Sequence, residues 1–183
     1  MGKQFNRISD DLMEFISNQR MYFVGTAGDS GKVNISPKGM DSLSVLDGNR
    51  VIWLNVTGSS NETSAHVQEN PRMTLMFCSF EGKPMILRLY GNATVVHKND
   101  REWEELSQLL PDIPGARQIF DLEVELVQTS CGLSVPFYDY LGEREQLKEW
   151  ALKKGTQGVQ EYWEKNNQMS LDGKPTNIME RNT

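Results

Sequence analysis

Histidine and cysteine are scarce, with two of each in 183 residues. His66, His97, Cys78 and Cys131 do not cluster, so a zinc site is not expected. Two cysteines cannot build a disulfide framework, and both read as buried thiols of a protein kept in a reducing cytoplasm. No apolar run approaches the roughly 20 residues needed to cross a bilayer. The opening residues, MGKQFNRISDD, lack the apolar stretch of a signal peptide. Gly2 follows Met1, but Asn6 stands where an N-myristoylation motif wants Ser or Thr. A basic surplus is also missing. The net charge is −6, which argues against nucleic acid as a partner. No serine sits in a nucleophile elbow. The Gly25, Gly28, Gly31 series opens a hairpin and not a helix, so it is no dinucleotide fingerprint.

What is present is a run of strand patterns. Met21–Ala27 and Val33–Ser36 flank a Gly28-Asp29-Ser30-Gly31 turn. Pro37 then marks a bulge, an edge or a strand end, because it cannot donate to a ladder. Ser42–Leu46 is extended, and Asp47-Gly48-Asn49 turns the chain into Val51–Val56. Arg72–Phe80 and Met85–His97 follow. In the second, Ile86, Arg88 and Tyr90 share one face and Leu87 and Leu89 the other. Gly91 reads as a bend or a close approach. Ile119–Thr129 alternates, with Phe120, Leu122, Val124 and Leu126 on its inward side. Helical patterns cover the segment from Ser9, Asp100–Leu110, Gly142–Gly155 and Gly158–Asn167, and the polar stretch Met169–Thr183 reads as loop or tail. About six antiparallel strands with peripheral helices, residues 1–183 as one domain, predict a mainly β fold: a small barrel with helices added.

The chain is organised around Thr57–Pro71, which joins two apolar strands through a small-residue turn and a short helix. Ser59 and Glu62 have the spacing of a capping box. Ser60, Asn61 and Thr63 gather at the same helix start, where free N–H groups and the positive dipole end favour an anion such as phosphate. On spacing alone an ordinary capped helix between two strands is the preferred account. Lys38, after a strand and beside Gly39, could reach a phosphate or simply be solvated. Arg88, mid-strand among apolar residues, needs a ligand or an ion pair. His66 reads as a packed or surface residue, and Cys131 as part of an active-site loop or, in preference, a packed corner.

Four segments together resemble the pyridoxamine 5'-phosphate oxidase-like, FMN-binding split-barrel family. They are Val33–Gly39, Thr57–Ala65, Glu69–Arg72 and Leu87–Gly91. The resemblance is to an uncharacterised branch, and it covers about residues 8–130, with a C-terminal helical extension at about 142–167. It implies a six-stranded antiparallel split barrel and a homodimer with FMN at the subunit interface. It implies a phosphate site at Ser60, Asn61 and Thr63 with Lys38 reaching in, and a flavin ring facing Thr57 and the Ser36–Pro37–Gly39 backbone. The oxidases usually carry an Arg-Lys pair where this chain has Glu62-Thr63, so Arg88 is the expected source of the missing charge. Residues 170–176 carry no arginine and histidine to grip pyridoxal phosphate, so vitamin B6 oxidation is not implied. The function implied is that of a flavin-dependent oxidoreductase of unknown substrate. The alternatives are a flavin- or haem-binding carrier or sensor without turnover, and a dimeric scaffold whose site has decayed.

Overall fold

The computed structural model describes residues 2–183. Its strands are β1 (Lys3–Phe5), β2 (Tyr22–Thr26), β3 (Asn34–Lys38), β4 (Leu43–Asp47), β5 (Arg50–Val56), β6 (Arg72–Cys78), β7 (Ile86–His97) and β8 (Ala116–Ser130). Its helices are α1 (Asp10–Ser17), α2 (Glu62–Glu69), α3 (Trp103–Ser107), α4 (Gln146–Asn166) and α5 (Ile178–Asn182). The strands form one antiparallel sheet in the order β3-β2-β6-β7-β8-β5-β4, with β1 added along β8. β3 and β4 are therefore the two ends of the path, yet residues 39–42 alone connect them. A link this short spans at most roughly 18 Å. The sheet must curl until its edges approach, which makes an open barrel with a seam between β3 and β4. The link turns tightly, with Met40 (φ 64°) and Asp41 (φ 52°) both left-handed. Pro37 is tolerated inside β3 because β3 is an edge strand.

The barrel interior is filled by Val24, Trp53, Phe77, Leu87, Leu89, Phe120 and Leu122, plugged by Leu12 and Ile16 of α1. Trp53 and Phe120 stack at 4.5 Å. A second apolar layer, with Ile52, Leu54 and Ile119, lies on the outer side of β5 and β8 under α3. The third cluster belongs to α4 and α5.

Eight strands replace the expected six. β1 is three exposed residues long, too short to show a periodicity, and it exists only because β8 extends far enough to pair with it. The inward series of β8 also differs from the expected one. A register shift opposite Tyr90 and Gly91 changes the phase of β8, so Val127 is buried where simple alternation puts Leu126. The helix expected over 100–110 contracts to α3. The two C-terminal helices meet at a break in α4, at Gly155 (φ 66°, ψ 174°). The stretch 169–183, expected as loop or tail, is docked structure. Thr176, Ile178 and Asn182 are buried in it, because α2 and Lys98, just after β7, supply partners for its polar groups. Cys78 is buried, but Cys131 is exposed, contrary to the packed corner expected there.

Candidate functional site

At the seam lies a cavity of about 300 Å³. Ser36, Pro37, Lys38 and Gly39 line it from β3 and the residue after it. Thr57, Ser60, Asn61 and Thr63 line it from the turn that opens α2. These segments are remote in sequence and meet because the barrel curls. Arg88 does not line this cavity. It donates to Ser130 Oγ at 3.3 Å and makes no ion pair among the described residues. The charge expected of it comes instead from Arg117, at the start of β8.

Arg117 is 3 % exposed. Its Nη1 donates to Asn167 Oδ1 at 2.8 Å and its Nη2 to the Ser60 carbonyl at 2.7 Å, while Nε has no partner. No carboxylate pairs with it among the described residues. Burial holds its guanidinium well below its ordinary pKa. The Lys38 side chain also makes no hydrogen bond or ion pair among the described residues, and its ammonium lies 5.4 Å from the centre of the Trp53 ring. Burial first, and then Arg117, pull its pKa down to about 8. Two cations thus repel one another inside one cavity. Asn61 Nδ2 is a further buried donor with no partner. The first turn of α2 adds N–H groups that no side chain caps. Every one of these groups is relieved by an anion.

Other polar groups at the site are already committed. The Thr57 hydroxyl donates to the Gly115 carbonyl and accepts from Trp163 Nε1, each at 2.7 Å, so it shapes the wall and offers nothing free. Asn34 Nδ2 donates to Ser36 Oγ at 3.1 Å and Thr63 Oγ1 at 3.2 Å, tying β3 to α2. The capping box does not form. Asn61 is the N-cap, and the Glu62 carboxylate accepts the Leu171 N–H at 3.0 Å. The docked C-terminal segment supplies a donor that outcompetes the Ser59 N–H, and it turns Glu62 toward itself.

Behind α2 a buried network fixes the helix start. Gln118 Nε2 donates to Ser64 Oγ and to His97 Nε2, both at 2.9 Å, and its Oε1 accepts from Asn55 Nδ2 at 3.1 Å. Burial, reinforced by Arg181 and opposed by Asp100, pulls the His97 pKa down to about 4. A folded pKa below the unfolded value of about 6.5 means that protonation favours the unfolded chain. Stability from this group is full above pH 6.5 and lost as pH falls toward 4, by up to about 3 kcal/mol. Urea midpoints at pH 7 and pH 4.5 should therefore differ less in His97→Gln than in the wild type. An unchanged pH difference would remove His97 as the cause.

Residues 8–131 match the family model described as pyridoxamine 5'-phosphate oxidase. The chain belongs to the pyridoxamine 5'-phosphate oxidase family. It is 32% identical, over 191 residues, to the family protein ustO of Aspergillus flavus, covering 93% of this chain and 76% of that one. Solved structures share its fold. One is a Clostridium acetobutylicum protein related to general stress protein 26 (TM-score 0.51, 18% identity, 66% of this chain and 86% of that one). Another is HupZ of Group A Streptococcus (TM-score 0.51, 20% identity, 65% and 91%). In this member of the pyridoxamine 5'-phosphate oxidase family, eight of the nine expected site residues converge on the seam cavity, and Arg88 does not. Arg117 was missed because the strand pattern begins at Ile119, and only the structure extends β8 back to Ala116 and so places Arg117 within it.

Proposed function

We propose that this protein is an FMN-binding flavoprotein and a flavin-dependent oxidoreductase, acting as a homodimer with FMN at the subunit interface. The observation that carries the reading is a pair of cations, half-buried Lys38 and buried Arg117, that line one cavity with no carboxylate paired to either among the described residues. A phosphate dianion satisfies that cavity. Ser60, Asn61, Thr63 and the free N–H groups of α2 would take its oxygens, and Lys38 and Arg117 would balance its charge. The Ser36–Gly39 segment and Thr57 would form the wall against the ring. When bound, the flavin supplies the electron chemistry, and the chain supplies orientation and electrostatics. The proposed dimer has support in two exposed apolar side chains at the edge of the sheet, Val33 just before β3 and Ile35 within it, which are 71% and 69% exposed. A haem carrier finds no such support. His66 and His97 are 1% and 0% exposed, each is hydrogen-bonded through one ring nitrogen, and neither lines the seam cavity.

FMN and riboflavin share a ring and differ in the phosphate. Titration by fluorescence quenching should show FMN bound much more tightly. Lys38→Met and Thr63→Val should each weaken FMN about tenfold or more and leave riboflavin nearly unchanged. Equal affinity for the two flavins in the wild type would show that the start of α2 is only a helix terminus.

A further inference from the structure

The seam cavity does not end at Lys38. Pro37, Lys38, Gly39, Met40 and Leu147 line it on one side and, on the other, a second concavity of about 930 Å³. That volume is within the range of small-molecule sites. The far wall of this groove is the irregular strap that follows β8. The strap is held in place, because the Tyr138 N–H donates to the Phe80 carbonyl at 3.2 Å. The Phe80 and Tyr138 rings pair at 5.5 Å. Tyr140 is fixed twice: the Arg20 guanidinium lies 5.3 Å from its ring centre, and its hydroxyl donates to Glu143 at 2.8 Å. Three aromatic rings therefore stand in set positions around a space continuous with the anion-seeking cavity. The charges of the groove balance. Arg20, Lys38 and Arg144 face Glu81, Asp139 and Glu143, so the groove has no preference for an ion of either sign.

We propose that this groove is the substrate subsite and that it takes an uncharged molecule with an aromatic ring, which the Phe80, Tyr138 and Tyr140 walls hold beside the Pro37–Met40 segment. The proposal rests on the flavin reading for its chemistry, since the same segment would border the ring. It does not rest on that reading for its recognition, which is aromatic contact in a preformed site. Aromatic pairs contribute beyond simple burial, so a flat ring should be favoured over a saturated one of similar size.

The test titrates 2-naphthol, and its saturated counterpart decahydro-2-naphthol, into the FMN-loaded protein by calorimetry. The naphthol should bind at least about fivefold more tightly than the saturated alcohol. Tyr138→Ala, at an exposed strap position, should weaken the naphthol about fivefold or more and leave FMN affinity unchanged. Tyr140→Phe, which keeps the ring, should retain naphthol binding within about twofold. Equal affinity for the two alcohols, no effect of Tyr138→Ala, or loss of naphthol binding on loading FMN would overturn the proposal. The last result would mean that the flavin itself fills the groove. If the wild type takes up no FMN, the flavin reading fails, and the same titrations on the flavin-free protein decide the groove alone. No naphthol binding there overturns it too.

Discussion

Arg117→Met should lose FMN affinity about a hundredfold, while the flavin-free protein melts at the same temperature or higher. The two halves of this result come from different energies. In the flavin-free protein Arg117 is a buried cation with an unpartnered Nε and no carboxylate, which is a costly arrangement. Methionine keeps the apolar stem and removes the charge. It forfeits the hydrogen bonds to Asn167 Oδ1 and the Ser60 carbonyl, at about 1 kcal/mol each. The gain and the loss nearly cancel. With flavin bound the balance changes, because the lost interaction is charge-assisted and worth about 1.5–3 kcal/mol. The Gly58–Ser60 turn also loses its anchor. A hundredfold is about 2.7 kcal/mol. Calorimetric melting without flavin, together with FMN titration, checks both halves. A collapse of the melting temperature with FMN affinity preserved would make Arg117 a strut.

Gly91→Ala should cost about 3 kcal/mol or more, or yield insoluble protein. Gly91 is buried in β7, where the pairing with β8 shifts register. A Cβ there would run into the Glu123 carbonyl and the Val124 Cα of the neighbouring strand. These are backbone atoms in the middle of the sheet, so no side chain can swing aside. Overpacking of a tight core costs about 1–3 kcal/mol, and more when only backbone can yield. Relief would require β7 and β8 to part, and with them the two halves of the sheet. Gly58→Ala is the matched control, because nothing lies within 4 Å of a Cβ there. It should shift stability by less than about 1 kcal/mol. Urea denaturation of the three proteins compares them directly. Equal midpoints for Gly91→Ala and the wild type would show that the bulge can relax.

Much of this was legible before any coordinates. Alternation placed Leu87 and Leu89 inward on β7, and both are fully buried. The crowding at Gly91 was legible from a glycine inside a strand. Its effect on the opposite strand was not, because a bulge shows only when two strands are laid side by side; hence Val127, and not Leu126, is inside. At the site, local spacing left the Ser60–Thr63 helix start and Lys38 open between an anion site and an ordinary cap or turn, and only the family resemblance joined them into one expected site. Local spacing failed where a distant segment intervenes. Glu62 looked like a capping partner until residues 169–176 arrived with the Leu171 N–H. Those residues looked like a tail because they are polar. Their hydrogen-bond partners, such as Ser64 for the Thr176 carbonyl, lie more than a hundred positions away. Arg88 stood out as a charge within an apolar strand, whereas Arg117 lay ahead of the strand pattern that starts at Ile119, and only the curl of the sheet shows that Arg117 is the one that meets Lys38.

The seam between β3 and β4 bears on how the protein matures. The walls of its cavity come from Ser36–Gly39, Thr57–Thr63 and Arg117, which no partial length of chain brings together before β8 is in place. On the flavin reading, a growing polypeptide lacks the complete site for the phosphate, and capture would follow closure of the two rims. A ligand that arrives then would not guide the chain into shape, but would span both rims and favour the closed state. Its supply would govern how long a finished molecule lasts, through mass action on the folded state, and not whether the molecule is made.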